Sequence, residues 1–251
     1  MAALKVLAAA ALSLLSAFVA VAAEEEEAAE SPWSANVTLT SDYRFRGQSQ
    51  SDRRAAVQGG IDYAHPSGFF AGLWASTIDF NDAQKSPAEV DFTGGYSFSL
   101  ADETSVTGTL AYYWYPDSAP AHYDYFEVQG DVSHDFGDFS LTGDATWSPD
   151  YSGRTGTEFG ISAGVKVPLT FWDIDWLSAS AQVGRQWIEG NAAYGTPDWV
   201  FYDFGATATW EIFALDVRYT GTDTSHADCF GGTDLCEGAV MLSLTATMPG
   251  G

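Results

Sequence analysis

From Trp33 onward the chain is dominated by long runs in which residue character alternates every second position, and such a run fits a strand whose two faces meet different surroundings. Over 88–100, Ala88, Val90, Phe92, Gly94, Tyr96, Phe98 and Leu100 alternate with Glu89, Asp91, Thr93, Gly95, Ser97 and Ser99. The same pattern sets Val106, Leu110, Tyr112 and Trp114 against Ser105, Thr107, Thr109 and Tyr113. It continues to Val240, Leu242, Leu244, Ala246 and Met248. Twelve segments are predicted, at about 34–46, 55–64, 69–80, 88–100, 104–115, 122–136, 139–148, 156–167, 176–187, 199–210, 212–222 and 238–248. Both parities of 69–80 carry apolar groups, so its faces stay unassigned.

Alternating strands belong either to a soluble sandwich or barrel with an apolar core, or to a transmembrane barrel with an apolar exterior and a polar bore. Segment length favours the membrane barrel. A tilted strand needs roughly 9–11 residues to cross a bilayer, whereas ordinary globular strands average about five or six. The connections point the same way, with "HPSG", "ADE", "GD", "PLTFWDID" and "EI" alternating with longer polar stretches such as "GQSQSDRR", "IEGNAAYGTPD" and "DTSHADCFGGTDLCEG". Short turns at one end and long loops at the other are the habit of outer-membrane barrels. With nine Trp, 12 Tyr and 16 Phe, the chain has enough aromatics for the two interfacial girdles. Tyr43, Phe45, Tyr63, Tyr112, Trp114, Trp147, Trp187, Trp210 and Tyr219 lie near segment ends and are assigned to them. Arg185 breaks the apolar parity beside Trp187, where it can snorkel to a polar interface.

Residues 1–23 combine Lys5, an apolar run and small residues at Ala20, Ala22 and Ala23, the pattern of a cleaved export signal. Residues 24–32, opening "EEEEAAE", read as an acidic periplasmic tail, and 33–251 as one all-β domain, a transmembrane antiparallel β-barrel. In an exported chain, Cys229 and Cys236 in one Gly- and Asp-rich stretch are expected to form a local disulfide. A formal net charge of -24 argues against nucleic acid, whose phosphates require clustered Lys and Arg.

The stretch "NVTLTSDYRFRGQSQSDRR" places Asp42, Arg44 and Arg46 on one parity and Leu39, Tyr43 and Phe45 on the other. An Arg facing lipid at mid-depth costs about 2–4 kcal/mol, so the Arg parity is assigned to a wet interior. The same parity elsewhere gives Asp62, Glu89, Asp91, Glu127, Asp131, Asp144, Glu158, Lys166, Asp203, Asp216 and Arg218 as pore-lining candidates. The excess of carboxylates predicts weak cation preference. The competing reading is that the bases brace acids on neighbouring strands.

The stretch "SDYRFRGQSQSD", followed by "AVQGGIDYAHPSGFFAGLWAS", resembles the TorF family of porins, exported proteins of Gram-negative bacteria. Glu89-Val90-Asp91 followed by Gly95-Tyr96 is a second point of likeness. The resemblance covers about the first third of the chain after the leader, and it implies an outer-membrane barrel acting as a pore. A departure is the ending "TATMPGG", which lacks the aromatic usual in proteins handed to the outer-membrane assembly machinery.

Twelve strands imply a narrow bore, since about eight leave an interior filled by side chains and about 16–18 an open channel. The expected function is therefore passive diffusion of small solutes or ions, with outer-membrane lipid and lipopolysaccharide as surroundings. The alternatives are a closed barrel whose external loops bind a partner or surface, and, less favoured, a secreted soluble β-protein. His65 and Ser67 share a tight turn, a poor platform for a nucleophile and its base. Neither zinc-type spacing nor a calcium loop is present, so no enzyme activity, metal or cofactor is expected. Gly59-Gly60 and Gly94-Gly95 read as bends or close approaches in the wall.

Overall fold

In the computed structural model, residues 31–82, 86–172 and 174–248 are described. The expected leader and most of the acidic tail lie outside them. Twelve long strands form the wall: β1 (Trp33–Thr40), β4 (Ala56–Ala64), β5 (Phe69–Thr77), β6 (Ala88–Ala101), β7 (Thr104–Trp114), β8 (Tyr125–Asp135), β9 (Ser140–Ser148), β10 (Glu158–Pro168), β11 (Leu177–Ile188), β12 (Trp199–Trp210), β13 (Phe213–Thr222) and β14 (Ala239–Met248). Two short strands, β2 (Arg44–Phe45) and β3 (Gln48–Ser49), pair only with each other.

Each long strand pairs antiparallel with its neighbours in sequence, and β14 closes the ring on β1. Closure leaves no free sheet edge, so every long strand has a backbone partner on both sides. The strand bounds agree with the sequence reading to within three residues, with one exception. The first alternating run was expected to stay in the wall to residue 46, but β1 ends at Thr40.

Alternation decides which way each side chain faces. Val37, Leu39, Val57, Ile61, Leu73, Phe92, Leu110, Phe159, Val183, Phe204 and Leu242 are all exposed on the outside. The inward parity carries Thr38, Gln58, Ser76, Glu89, Thr107, Glu127, Thr146 and Thr220. A soluble protein rarely exposes a contiguous apolar surface on this scale, whereas a lipid-exposed barrel has such a band. Among the described residues no helix is long and apolar enough to cross a membrane.

The unassigned strand β5 turns Phe69, Ala71 and Leu73 outward, and Phe70, Trp74 and Ser76 inward. Gly95 makes room for the Phe70 ring, which would collide with any Cβ there. Arg185 faces outward with its guanidinium 5.3 Å from the centre of the Trp187 ring, as expected for a cation held over an interfacial aromatic.

The short connections 65–68, 102–103, 136–139, 169–176 and 211–212 gather at one end. The longer ones, 41–55, 78–87, 115–124, 149–157, 189–198 and 223–238, gather at the other. Leu110, 54% exposed in the middle of β7, tests the nature of the exterior. Leu110→Arg should lower the unfolding free energy by about 2–4 kcal/mol, read as a fall in the urea midpoint in phospholipid vesicles. A negligible change would place that surface outside hydrocarbon.

Candidate functional site

The long connection after β1 folds into the barrel. Arg44–Phe45 and Gln48–Ser49 form the arms of a minimal hairpin with Arg46 and Gly47 at its tip. Both tip residues have positive φ, 48° and 83°, the arrangement of the tight turn that matches strand twist. Glycine suits the second position on two counts: its φ is left-handed, and a Cβ there would lie 2.6 Å from the Gly221 carbonyl oxygen. At the base of the hairpin Asp42 accepts hydrogen bonds from Ser49 Oγ (2.6 Å) and Ser51 Oγ (3.1 Å) and pairs with Arg44 Nε at 2.7 Å. These bonds occupy the polar atoms of a segment that has left the sheet ladder.

The hairpin spans the bore. It leaves the wall at the end of β1, and β9 stands six strands from β1 by either route around the ring, so it lies opposite. From the strands flanking β9, fully buried Glu127 and Glu158 face inward. Arg46 joins them, with Nη2 at 2.8 Å from Glu127 Oε1 and 2.9 Å from Oε2, and Nη1 at 3.3 Å from Glu158 Oε1. A planar guanidinium makes this two-sided contact, which a Lys ammonium cannot reproduce. Thr146 Oγ1 (2.9 Å) and Gln186 Nε2 also donate to Glu158, and Gln129 Nε2 donates to Glu127 at 2.7 Å. Trp199 Nε1 donates to the Arg46 carbonyl at 2.9 Å.

The outer loops hold the hairpin from above. The disulfide Cys229–Cys236 closes part of loop 223–238, whose carbonyls accept from Ser49 N (Leu235, 2.8 Å), Arg44 Nη1 (Glu237, 2.6 Å) and Arg53 Nη1 (Asp234, 3.0 Å). Tyr194, on a short helical turn Asn191–Tyr194, donates to Gln48 Oε1 at 3.0 Å and stacks on Trp199. Burial pushes the Tyr194 hydroxyl up to about 12, so it stays a neutral donor at physiological pH. A cluster of Tyr113, Tyr115, Tyr125, Tyr151, Trp199 and Phe201 fills the space under the loops.

Two cavities border the hairpin. One, about 380 Å³, is lined by Tyr43, Arg44, Gln58, Trp74, Asp91 and Tyr113 among others. The second, about 270 Å³, is lined by Arg46, Asp144, Ser162, Gln182, Asp203 and Arg218 among others. The walls differ in charge. Around the second, Arg218 binds Asp203, Asp216 and Ser180 Oγ. Around the first, Arg44 pairs with Asp42, while Asp91, like Glu89 on the same strand, has no described Lys or Arg within ion-pair distance.

The sequence-predicted residues thus fall into groups. Asp42, Arg44 and Arg46 lie on the hairpin and not on a wall strand; their alternation comes from the small β2–β3 ladder. Glu89 and Asp91 share β6, Asp131 and Asp144 face each other across β8 and β9, and Asp203, Asp216 and Arg218 form a triad on β12 and β13. Asp62 and Lys166 are exposed on their strands, apart from these groups. Tyr43 and Phe45, assigned to a girdle, lie inside instead. Tyr43 packs edge-on to Trp74 at 5.4 Å and donates to Glu89 Oε1 at 3.2 Å, while Phe45 lies 6.0 Å from the Tyr113 ring. Neutral Gln48, Gln129, Gln186 and Trp199 were missed, since none carries charge to mark an inward face. His65 Nδ1 and Ser67 Oγ bond at 2.7 Å within one exposed turn. His226, Asp234 and Glu237 bring three ligand atoms within 4.8 Å of one another on the exposed disulfide loop, where Arg53 already bonds Glu237.

A closed twelve-stranded barrel with an apolar exterior, a polar bore and a loop folded across it has the architecture of a porin. Solved structures agree on the fold. The NanC porin superposes with a TM-score of 0.59 at 12% identity, over 84% of this chain and 98% of its own. A structure from work on the in-meso crystallization of membrane proteins gives 0.53 at 11% identity, over 86% and 83%. No curated protein matches the chain. The chain belongs to the Gcw_chp family of bacterial proteins of unknown function, whose profile matches residues 24–248.

Arg46→Ala would leave Glu127 and Glu158 buried without a cation, a loss of about 3–5 kcal/mol for a broken buried pair. Urea unfolding in detergent micelles should show it, with Arg46→Lys recovering only part. An unchanged midpoint would mean that the hairpin does not rest on these carboxylates.

Proposed function

We propose that the protein is a porin-like channel of the bacterial outer membrane, passing small solutes or ions by diffusion through a narrow, weakly cation-preferring bore. The observation that carries this reading is the hairpin spanning the lumen, which narrows the barrel without filling it and leaves a cavity on each side. The likeness of the first segments to the TorF porins supports the same reading, and residues 1–23 would supply the export signal. Charge sets the preference. Arg46 and Arg218 each offset two carboxylates, while Glu89, Asp91, Asp131 and Asp144 have no described basic partner, and in their ionised form they raise the local concentration of cations in a confined bore.

A second reading, a closed barrel whose external loops bind a partner, is favoured by one feature. Several inward residues near the hairpin, Thr40, Ser76, Glu127, Ser148, Glu158, Gln186 and Thr220, are buried. Conductance in planar bilayers decides between the two. The channel reading predicts small discrete steps with a cation-side reversal potential in a salt gradient. Replacing 44–49 by a Gly-Ser linker should enlarge the steps several-fold. A folded barrel that gives no steps in either form would leave the closed reading.

A further inference from the structure

We propose that the larger cavity is a binding site for a small organic ammonium ion, with the Asp91 carboxylate as its anionic partner and aromatic rings as its walls. The inference rests on the channel reading for its biological use, but its geometry stands alone. On β6, Asp91 is directly opposite Trp74 of β5 and directly opposite Tyr113 of β7. Side chains so paired stand about 4.5–5.5 Å apart at Cβ on one face, so the carboxylate sits between two aromatics. Tyr43 approaches from the hairpin, edge-on to Trp74, and all four residues line the cavity.

Two further observations favour a cationic ligand. Asp91 Oδ1, in the cavity wall, is buried without a hydrogen-bond partner, and behind the wall Glu89 accepts from Tyr43 through Oε1 while its Oε2 has no partner. An unpaired carboxylate in such a place is costly. Elsewhere in the bore the buried carboxylates Asp42, Glu127 and Glu158 each meet an Arg. Arg44 also borders the cavity; its Nε is held by Asp42 and its Nη1 by the carbonyls of Gly47 and Glu237, its Nη2 has no described partner, and Arg44 forms no ion pair with Asp91. An alkylammonium group needs only a carboxylate and aromatic faces, and desolvated cation–π contacts suit it. At about 380 Å³ the space falls within the roughly 300–1,000 Å³ of small-molecule pockets.

The test is calorimetric titration of the full chain, folded in detergent, with choline chloride and with its neutral isostere 3,3-dimethyl-1-butanol. Choline should saturate one site and the isostere should not. Asp91→Asn should weaken choline at least about tenfold, as loss of the coulombic attraction between ammonium and carboxylate in a partly desolvated site requires. Trp74→Leu should weaken it about fivefold and Trp74→Phe less, in proteins whose heat-modifiable gel migration shows them folded, while Glu103→Gln in a distant turn leaves it unchanged. Equal binding of the isostere, or saturation by calcium chloride and not by choline, overturns the assignment. Binding in a barrel without conductance keeps the site and removes the channel; conductance without binding does the reverse.

Discussion

Glu127 and Glu158 project into the bore from strands on either side of β9, both fully buried, and two such carboxylates cannot both stay charged without a cation between them. Arg46 is that cation. It is delivered by a hairpin that starts on the opposite wall, so the charge requirement of one side fixes the position of a loop from the other. The Asp42 and Arg44 bonds at the base of the hairpin, and the Trp199 indole on its tip carbonyl, hold the segment in that place.

The barrel and the hairpin obey different rules. In the wall, closure satisfies the backbone and alternation separates apolar from polar side chains. Inside, a chain that has left the ladder must satisfy its polar groups locally, and it does so with Ser, Asp and Arg side chains and with carbonyls of the disulfide loop. The result is asymmetric: the β9–β13 side carries paired charges and the β5–β7 side carries carboxylates beside aromatic rings. That asymmetry divides the space around the hairpin into a charge-paired half and an acidic, aromatic half.

The wall was legible because a period of two extended over ten or more residues has no other common cause. The inward faces followed from the same period, and the Cys229–Cys236 bond from two cysteines in one loop of a chain whose first residues read as an export signal. What failed was the end of β1. Residues 41–46 keep alternating polar and apolar groups because they enter a second, two-stranded ladder, which local periodicity cannot distinguish from a continuing wall strand. The available signal was Gly47 after Arg46, followed by the small polar run Gln48-Ser49-Gln50-Ser51, a pattern of tight turns. The misplacement of Tyr43 and Phe45 is the same error, since their apolar parity faces lipid only if the strand continues. Trp74 and Tyr113 were hidden for another reason: an aromatic on an inward parity looks the same in sequence whether it packs a core or faces a cavity.

The docked hairpin is tested most directly by a double-mutant cycle between its tip and the opposite wall. Unfolding free energies of the native chain, Arg46→Ala, Glu127→Gln and the double variant would be measured in one detergent. Direct contact predicts a coupling above about 1 kcal/mol, with the second substitution costing far less once the first is made. Additivity within about 0.5 kcal/mol would mean that Arg46 does not reach the far wall and that the loop lies outside the bore.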